Sequence, residues 1–408
     1  MPVPGPLRIL YMAFDPVPFP KGAARRIEAT VRALARTGAT VHLLTPRAPG
    51  SSPFPDRLTG IEGVEHAPVS VLDGGDNFLD RALFFRRAAA ERIGAQEWDV
   101  LWYRSPWEGL PAIQHGTARK VYEAHGFPSV ELPSHYPRLL ARDDLMDRLA
   151  LQEIALLRHS DRLVTPSRTG RSFLIGRGVD PARIRLIPNS VDPQEFPPPD
   201  QEPAPGPPWR LAYLGTLAPW QGLFTLLEAL SRLKGRVDVR LHLAGTRKGP
   251  WLRQVRRAAQ KLRVRSMLEF HGPQDSAGVR GILQQSHICV APLPDDPRNS
   301  LQGCCPIKIL EYMAAGRAVL STRIRPVEEV VRHGATGWLV RPGSPYALAE
   351  GIRHLAAHPE EAVALGLAAR EDVTERFHRR AFEERLAAMV SELAPYSSED
   401  APLSPAPE

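Results

Sequence analysis

One segment, 303–316, combines residue types and spacing that could bind a phosphorylated ligand. It predicts a short helix, because Pro306 suits the first helical turn and Gly316 suits the left-handed position after the last turn. Unpaired N–H groups at 304–308, together with the helix dipole, would attract an anion such as a diphosphate. One turn later, the carboxylate of Glu311 could accept hydrogen bonds from the vicinal hydroxyls of a ribose. The residues that would form this predicted sugar-nucleotide site are Gly303, Cys304, Cys305, Pro306, Ile307 and Glu311.

The same helix also allows a plainer interpretation. Ile307, Leu310 and Ala314 form a narrow apolar stripe that is typical of a helix packed on a sheet. Lys308 and Glu311 are three residues apart and could form an exposed charge pair. In that interpretation the segment is an ordinary helix without a ligand.

The start of the chain predicts a β-α-β unit, with a strand at 7–14, a helix at 27–38 and a strand at 41–45. The loop after the first strand contains one glycine, Gly22, and lacks the G-x-G-x-x-G pattern, so NAD or FAD is not expected. Gly22 could let the backbone approach a ligand phosphate or an acceptor. A plain turn glycine fits equally well.

Three polar residues stand at the ends of two later predicted strands: Arg104, Glu123 and His125. Ligands of open parallel sheets lie beyond the carboxyl ends of the strands, so these residues are candidates for a site. We expect His125 to take part, because its neighbour Gly126 leaves the imidazole face accessible. The competing interpretation is a structural histidine that caps a loop.

Prolines mark a domain boundary: eight of them fall between positions 193 and 208, and the β-α pattern restarts at Trp209. We predict an α/β protein in which two Rossmann-like, doubly wound domains face each other across a cleft. The predicted parts are a first domain (1–192), a proline-rich linker (193–208), a second domain (209–375), a helix that crosses back to the first domain (376–394) and a disordered tail (395–408).

The composition is that of a globular protein of two domains: 408 residues, 43% hydrophobic and 24% charged, with a formal charge of +7. The positive charge permits an anionic ligand or acidic lipid, and no nucleic acid partner is expected. The three cysteines show no C-x-x-C spacing, which predicts a reducing compartment and no structural zinc. Since no secretion signal and no apolar run of about 20 residues is evident, a cytoplasmic location is expected.

A basic helix predicted at 79–93 carries Arg81, Arg86, Arg87 and Arg92 beside Phe84 and Phe85. Such a helix could contact the inner face of the membrane peripherally. A packed helix with a solvated arginine face explains the same pattern.

Several motifs, in order along the chain, resemble those of retaining glycosyltransferases of the GT-B fold, family 4. They are Pro20-Lys21-Gly22, Val164-Thr165-Pro166-Ser167, Ile187-Pro188-Asn189-Ser190-Val191-Asp192, Tyr213-Leu214-Gly215-Thr216, Gln221-Gly222, Leu243-Ala244-Gly245 and the segment 303–316. The resemblance covers nearly everything from Leu7 to about Leu393.

The resemblance implies that the second domain binds a nucleotide-diphosphate sugar, with Gly215, Thr216 and Gly245 in the donor site, and that the first domain binds the acceptor. It also implies transfer with retained anomeric configuration, and no metal or organic cofactor beyond the nucleotide-sugar co-substrate. The acceptor would be a glycan, a lipid-linked or a small molecule. The expected role is in the synthesis of cell-envelope polysaccharide, glycolipid or another glycoconjugate.

Departures from the family pattern fall on the donor site. The basic pair of similar enzymes is replaced by Thr216 and Gln221, and the first acid of their paired-glutamate motif is replaced by Gly303. Charge-assisted hydrogen bonds are about twice as strong as neutral ones, so another cation is expected to assist. The candidates are Lys308, Arg247 and Lys248. A milder change places Ser190 where the family commonly has glycine.

The catalytic residues expected on this basis are Lys308 and Gln221, which would stabilise the leaving diphosphate, and His125, which would contact the transferred sugar or the acceptor. The departing phosphate itself could take the acceptor proton. Two alternatives stay open: a donor-binding protein with weakened catalysis, and a sugar-nucleotide epimerase. The epimerase would need a clear acid/base set, which the sequence does not show.

Overall fold

A computed structural model describes residues 6–19, 21–47, 57–71, 77–136, 142–200, 202–245 and 250–393. Over these ranges the first domain contains the strands β1 (Arg8–Met12), β2 (Thr40–Pro46), β3 (Val64–Val69), β4 (Val100–Tyr103), β5 (Arg119–Glu123), β6 (Arg162–Thr165) and β7 (Ile184–Leu186). Its helices are α1 (Gly22–Arg36), α2 (Phe78–Gly94), α3 (Pro106–Gln114), α4 (Pro128–His135), α5 (Asp143–His159) and α6 (Arg168–Gly176).

The second domain contains the strands β8 (Trp209–Leu214), β9 (Val239–Ala244), β10 (Leu268–Gly272), β11 (Ile288–Ala291), β12 (Ala318–Thr322) and β13 (Trp338–Val340). Its helices are α7 (Leu223–Leu233), α8 (Pro250–Lys261), α9 (Ser276–Gln285), α10 (Ile307–Ala314), α11 (Arg325–Glu328), α12 (Pro345–Ala357) and α13 (Pro359–Arg376), and α14 (Arg379–Ser391) follows. A π-helical turn, Pro297–Leu301, precedes α10.

Each domain is built on a parallel sheet covered by helices on both faces. The strand orders are β3-β2-β1-β4-β5-β6-β7 and β10-β9-β8-β11-β12-β13. Strands such as β4 and β12 are buried along their whole length, which explains why they are continuous apolar runs rather than alternating patterns. Separate apolar clusters fill the two faces of each sheet. The predicted α/β fold with two Rossmann-like domains is confirmed.

The proline-rich segment lies against the second domain. Phe196 is 1% exposed and belongs to the apolar cluster around α10 and α13. Arg317, which is also buried, donates two hydrogen bonds to Glu202 at 2.6 and 2.7 Å. The segment is therefore anchored to the second domain by packing and by an ion pair.

Helix α14 returns the chain to the first domain. Its residues Phe382 and Leu386 share an apolar cluster with Ile27 and Leu34 of α1. At the exposed edge, the guanidinium of Arg36 donates to Glu383. Helix α14 thus completes the core of the first domain, although almost 190 residues of chain separate the end of that domain from the helix.

Some expectations concern residues outside the described ranges or differ in detail. Arg247, Lys248 and the tail 395–408 lie outside the described residues. Pro306 does not occupy the first helical turn: its ψ of 105° is extended, and α10 begins one residue later. No helix within the described ranges combines the length and the apolar character needed to cross a bilayer.

The packing of α14 predicts the effect of truncating its buried face. We expect Leu386→Ala to lower the free energy of unfolding by about 2–5 kcal/mol, because it leaves a cavity in the first-domain core. Arg385→Ala, on the exposed side of the same helix, should change it by about 0.5 kcal/mol or less. Urea denaturation followed by circular dichroism measures both. Equal effects of the two variants would contradict the assigned packing.

Candidate functional site

Three loops meet at the carboxyl ends of β8 and β9, and glycine lets them approach one another. A Cβ atom on Gly245 would lie 2.0 Å from the carbonyl oxygen of Gly215, and one on Gly222 would lie 1.6 Å from that of Pro292. Gly215 and Gly222 also have positive φ angles, of 126° and 74°. A side chain at these positions would push the loops apart. The predicted site residues Gly215 and Gly245 are therefore brought together at the strand ends.

Lys308 reaches this junction from the first turn of α10. Its Nζ donates a hydrogen bond to Oε1 of Gln221 at 2.6 Å and lies 4.7 Å from the centre of the Tyr213 ring. A Cβ on Gly215 would come within 3.0 Å of the same nitrogen. The carbonyl of Thr216 accepts a hydrogen bond from the Tyr213 hydroxyl at 2.8 Å. Of the three cations proposed to replace the family's basic pair, Lys308 is placed beside the loop that carries the substitutions.

The ammonium group of Lys308 is unusually easy to deprotonate. Burial and the neighbouring guanidinium of Arg298 lower the pKa of Lys308 to about 7. The positive charge that an anionic ligand would need is therefore only partly present at neutral pH. A bound phosphate would restore it.

The turn that precedes α10 packs against the first domain. Gln302 accepts a hydrogen bond from the backbone N–H of Phe127 at 2.9 Å and donates one to Glu131 at 2.7 Å. Gly303 has a φ of 77°, and a Cβ there would lie 2.5 Å from both the Gly170 nitrogen and the Ser167 oxygen. An acid at position 303 would collide with the start of α6. The absence of the family's first acid therefore has a steric reason in this chain.

The two cysteines of the turn are structural in character. Burial raises the pKa of Cys304 and of Cys305 to about 12, so neither is a thiolate at neutral pH. The carbonyl of Cys305 accepts a hydrogen bond at 2.6 Å from the side-chain amide of Asn189. Asn189 belongs to the turn that closes the first domain, so this bond joins the two domains directly.

A buried carboxylate, Glu123, organises the first-domain side. It accepts hydrogen bonds from Tyr11 (2.6 Å), Arg26 (2.7 Å) and Trp102 (3.0 Å). Although burial opposes ionisation, the guanidinium groups of Arg26 and Arg104 hold the pKa of Glu123 well below its usual range. Glu123 is therefore ionised inside the protein.

His125 lies against this carboxylate. Its Nε2 is 3.0 Å from Oε1 of Glu123, and its side chain is 16% exposed. Burial and the charge of Arg26 lower the pKa of His125 to about 4, so the imidazole is neutral at physiological pH. The structure thus places His125 on the buried carboxylate cluster rather than beside Lys308.

Arg26 extends the same network toward the second domain. Its guanidinium donates to the carbonyls of Ile187 and Pro188, both at 3.1 Å, and contacts the side-chain oxygen of Asn189 at 3.4 Å. Asn189 in turn binds Cys305. Sequence reasoning missed Arg26 and Gln302. A signal for Arg26 was available, because an arginine on the apolar stripe of α1 predicts a buried partner.

The start of α1 contacts the start of α10. A Cβ on Gly22 would lie 3.4 Å from Cδ1 of Ile307, which is ordinary van der Waals contact. One turn later, Arg25 forms an ion pair with Glu311. Gly22 and Ile307, both predicted site residues, therefore meet at the boundary between the domains.

Glu311 faces a cavity of about 310 Å³ between the domains. Besides Arg25, its walls include Asn189, Ile307 and Arg379. The contacts of Glu311 are thus distinct from those of Lys308, and the structure does not place the two predicted donor-binding side chains in one cluster. The ion pair occupies the carboxylate that was expected to accept ribose hydroxyls.

Sequence comparison identifies the two domains separately. Residues 20–195 match the family described as Glycosyltransferase Family 4, and residues 208–358 match the one described as Glycosyl transferases group 1. The chain is 27% identical over 237 residues to a protein of Salmonella typhimurium, WcaL, that is named a colanic acid biosynthesis glycosyltransferase. It is 24% identical over 260 residues to the amylovoran biosynthesis glycosyltransferase AmsK of Erwinia amylovora.

These two alignments cover 58% and 64% of this chain. They span less than two thirds of the relatives' own length, at 57% and 59%.

Solved structures show the same architecture over nearly the whole chain. Sucrose-phosphate synthase from Thermosynechococcus elongatus superposes with a TM-score of 0.78 at 19% identity, covering 95% of this chain and 99% of that one. WaaG, a glycosyltransferase involved in lipopolysaccharide biosynthesis, gives 0.69 at 17% identity, with 94% and 99% covered. Anabaena HepE, solved in complex with UDP-glucose, gives 0.71 at 16% identity, with 95% and 100% covered. The solved structures show the GT-B fold, and the two family matches, which together span most of the chain, show that it belongs to the family 4-like glycosyltransferases.

Proposed function

We propose that this protein transfers a sugar from a nucleotide-diphosphate sugar to an acceptor hydroxyl. The observation that carries the proposal is the position of Lys308, whose ammonium group lies beside Gly215 and Gln221 at the carboxyl ends of the second-domain strands. Cations and helix N-termini at such a place are suited to a diphosphate. UDP-glucose in the HepE complex supports a nucleotide sugar as the donor class.

The chemistry proposed is departure of the nucleoside diphosphate, assisted by Lys308, Gln221 and the N–H groups at the start of α10. The departing phosphate takes the proton of the acceptor hydroxyl on the same face, which gives retention of configuration. His125 is neutral and lies beside an ionised carboxylate, so it would contact a sugar by hydrogen bonding rather than act as a base. The diphosphate would be held by protein groups, with no metal or organic cofactor required.

The acceptor is proposed to be a growing polysaccharide or a lipid-linked glycan. This rests on the names of the relatives, WcaL and AmsK, and on one surface of the first domain. On α2, Leu79 and Leu83 are 45% and 43% exposed on a helix that also carries several arginines. Exposed apolar and basic side chains on one helix suit peripheral contact with anionic lipid from the cytoplasmic side.

A second candidate is a donor-binding protein with weakened catalysis. Gly303 favours it, because the steric limit at that position excludes the acid that contacts the sugar in similar enzymes. Incubation of the purified protein with a panel of nucleotide sugars and glycan acceptors, read by mass spectrometry, separates the candidates. Transfer or slow donor hydrolysis supports the enzyme. Binding without turnover supports the second candidate, and isomerised donor would indicate an epimerase.

Removing the charge of Lys308 should weaken donor binding. We expect Lys308→Met to lower the affinity for the donor found in the panel by about 10- to 100-fold, because a charge-assisted hydrogen bond contributes about 1.5–3 kcal/mol. Lys234→Met is the matched control, since that lysine is exposed at the end of α7. Isothermal titration calorimetry measures both. Unchanged affinity in Lys308→Met would remove this lysine from the donor site.

The low pKa of Lys308 predicts that donor affinity depends on pH. Below about pH 7 the ammonium form dominates and binds the diphosphate without a proton-uptake cost. Above it, affinity should fall by up to about tenfold per pH unit, because the free protein must gain a proton on binding. In Lys308→Arg the charge persists, so the dependence should flatten. A wild-type affinity that is constant between about pH 6 and pH 9 would contradict this.

Glu311 can bind ribose only if it leaves Arg25. The side chain of Arg25 is 28% exposed but that of Glu311 only 7%, so a ribose must supply hydroxyl donors to the buried carboxylate in place of the guanidinium. We expect Glu311→Ala to lower donor affinity at least about tenfold with the fold intact, and Arg25→Ala to leave it equal or higher. Calorimetry with circular dichroism as a folding check tests this. Unchanged binding by Glu311→Ala would exclude Glu311 from the donor site.

A further inference from the structure

Away from the interdomain contacts, the second domain brings together two imidazoles and a carboxylate, from His242, His271 and Glu269. Nδ1 of His242 lies 3.0 Å from Nε2 of His271. The Glu269 carboxylate lies 3.5 Å from each of these two nitrogens, through a different oxygen for each. Three groups that bind transition metals therefore converge within the span of one ion.

The sheet register creates this convergence. β9 and β10 pair in parallel with His242 directly opposite Glu269, so the two side chains leave the sheet on the same face. The pairing slips between Phe270 and Gly272, which leaves His271 as the extra residue of a bulge. A bulge changes the direction of the side chain it carries, and here it brings His271 to His242.

The distances suit a tetrahedral ion. Zn²⁺ binds imidazole nitrogen and carboxylate oxygen at about 2.0–2.2 Å, which places neighbouring ligand atoms about 3.3 Å apart. The two nitrogens are 3.0 Å apart, and each lies 3.5 Å from its own oxygen of Glu269, so both carboxylate oxygens face the imidazole pair. Glu269 would therefore bind an ion through both oxygens or rotate to present one of them. Glu269 is half-exposed, so water can reach the fourth position.

The alternative is a hydrogen bond between the two imidazoles without an ion. Nε2 of His242 is buried and has no hydrogen-bond partner among the residues that the structure describes, so it is unpartnered in either arrangement. If Nε2 carries the proton, Nδ1 presents a lone pair toward His271 and Glu269. This is the tautomer that a metal ion requires.

The surrounding charges are mixed. Arg210 and Arg240 are close enough to His242 to oppose a cation there. Their guanidinium groups are held by the carbonyls of Gln285 and Ser266, at 2.5 and 2.8 Å, while Glu269 supplies the compensating negative charge.

We propose that His242, Glu269 and His271 bind a divalent transition-metal ion such as Zn²⁺, with water as the fourth ligand. The ion would join the edge strand β10 to β9 immediately before the loops at Gly245 and Gly272, which are hydrogen-bonded to each other at 2.8 Å. Its role is to hold these loops, and it takes no part in sugar transfer. The cysteine spacing gave no reason to expect zinc because this site uses no cysteine.

The test measures metal binding directly. The full chain, without a polyhistidine tag and freed of metal by a chelator, is titrated with Zn²⁺ in competition with a chromophoric chelator. We expect about one equivalent to bind, and Zn²⁺ to raise the midpoint of thermal unfolding by about 5 °C. Co²⁺ should give the intense visible absorption of tetrahedral coordination.

His271→Asn and Glu269→Gln should weaken Zn²⁺ binding at least about tenfold and abolish the thermal shift. Both side chains are partly exposed, so the metal-free variants are expected to fold, with circular dichroism as the check. The matched control is His354→Asn, which alters a second group formed by His354 on α12, Glu361 on α13 and His358 between the two helices. Unchanged Zn²⁺ binding in the first two variants, its loss in the control, or no binding by the wild type would overturn the proposal.

Discussion

The guanidinium group of Arg26 supports the first-domain turn that contacts the second domain. It is 3% exposed, neutralises the buried carboxylate of Glu123 and binds the carbonyls of the turn that closes the first domain. That turn carries Asn189, which binds the carbonyl of Cys305 just before α10. Losing one member of a buried ion pair costs about 3–5 kcal/mol, because the other charge is left unpaired in a medium of low polarity. A charge pair inside the first lobe therefore supports one of the contacts between the two lobes.

Steric limits explain why glycine stands at several positions around the candidate site in the second domain. The loops at Gly215, Gly222 and Gly245 approach so closely that side chains cannot enter. The start of α6 leaves no room for an acidic side chain at position 303. Lys308 supplies a cation from α10. It lies beside the loop after β8, which lacks the basic residues common in the family. Burial would strengthen the attraction of this cation for an anion, and the same burial lowers the pKa of Lys308.

The two ends of α10 thus serve different neighbours. Its first turn directs Lys308 to the second-domain loops, while Glu311 contacts α1 of the first domain. The Arg25–Glu311 pair joins the first domain to the carboxylate expected to bind ribose. Helix α14 packs on the first domain and the proline-rich segment on the second, so the chain crosses between the lobes twice and is anchored after each crossing.

The sequence alone determined the fold class, since continuous apolar runs alternating with helical periodicity leave few arrangements other than parallel sheets. It also singled out Lys308 as one of three candidate cations, because a short motif places it at a helix start. Only the tertiary structure decided the partners: Arg25 for Glu311, Glu123 for His125, and Gln302 for the first domain. The contacts of Glu311 and Gln302 join residues about 175–290 positions apart. His125 and Glu123 are close in the chain, and there the sequence did not reveal that the carboxylate is buried. Local spacing carries no information about which distant side chains meet, because that depends on how two separately folded lobes pack.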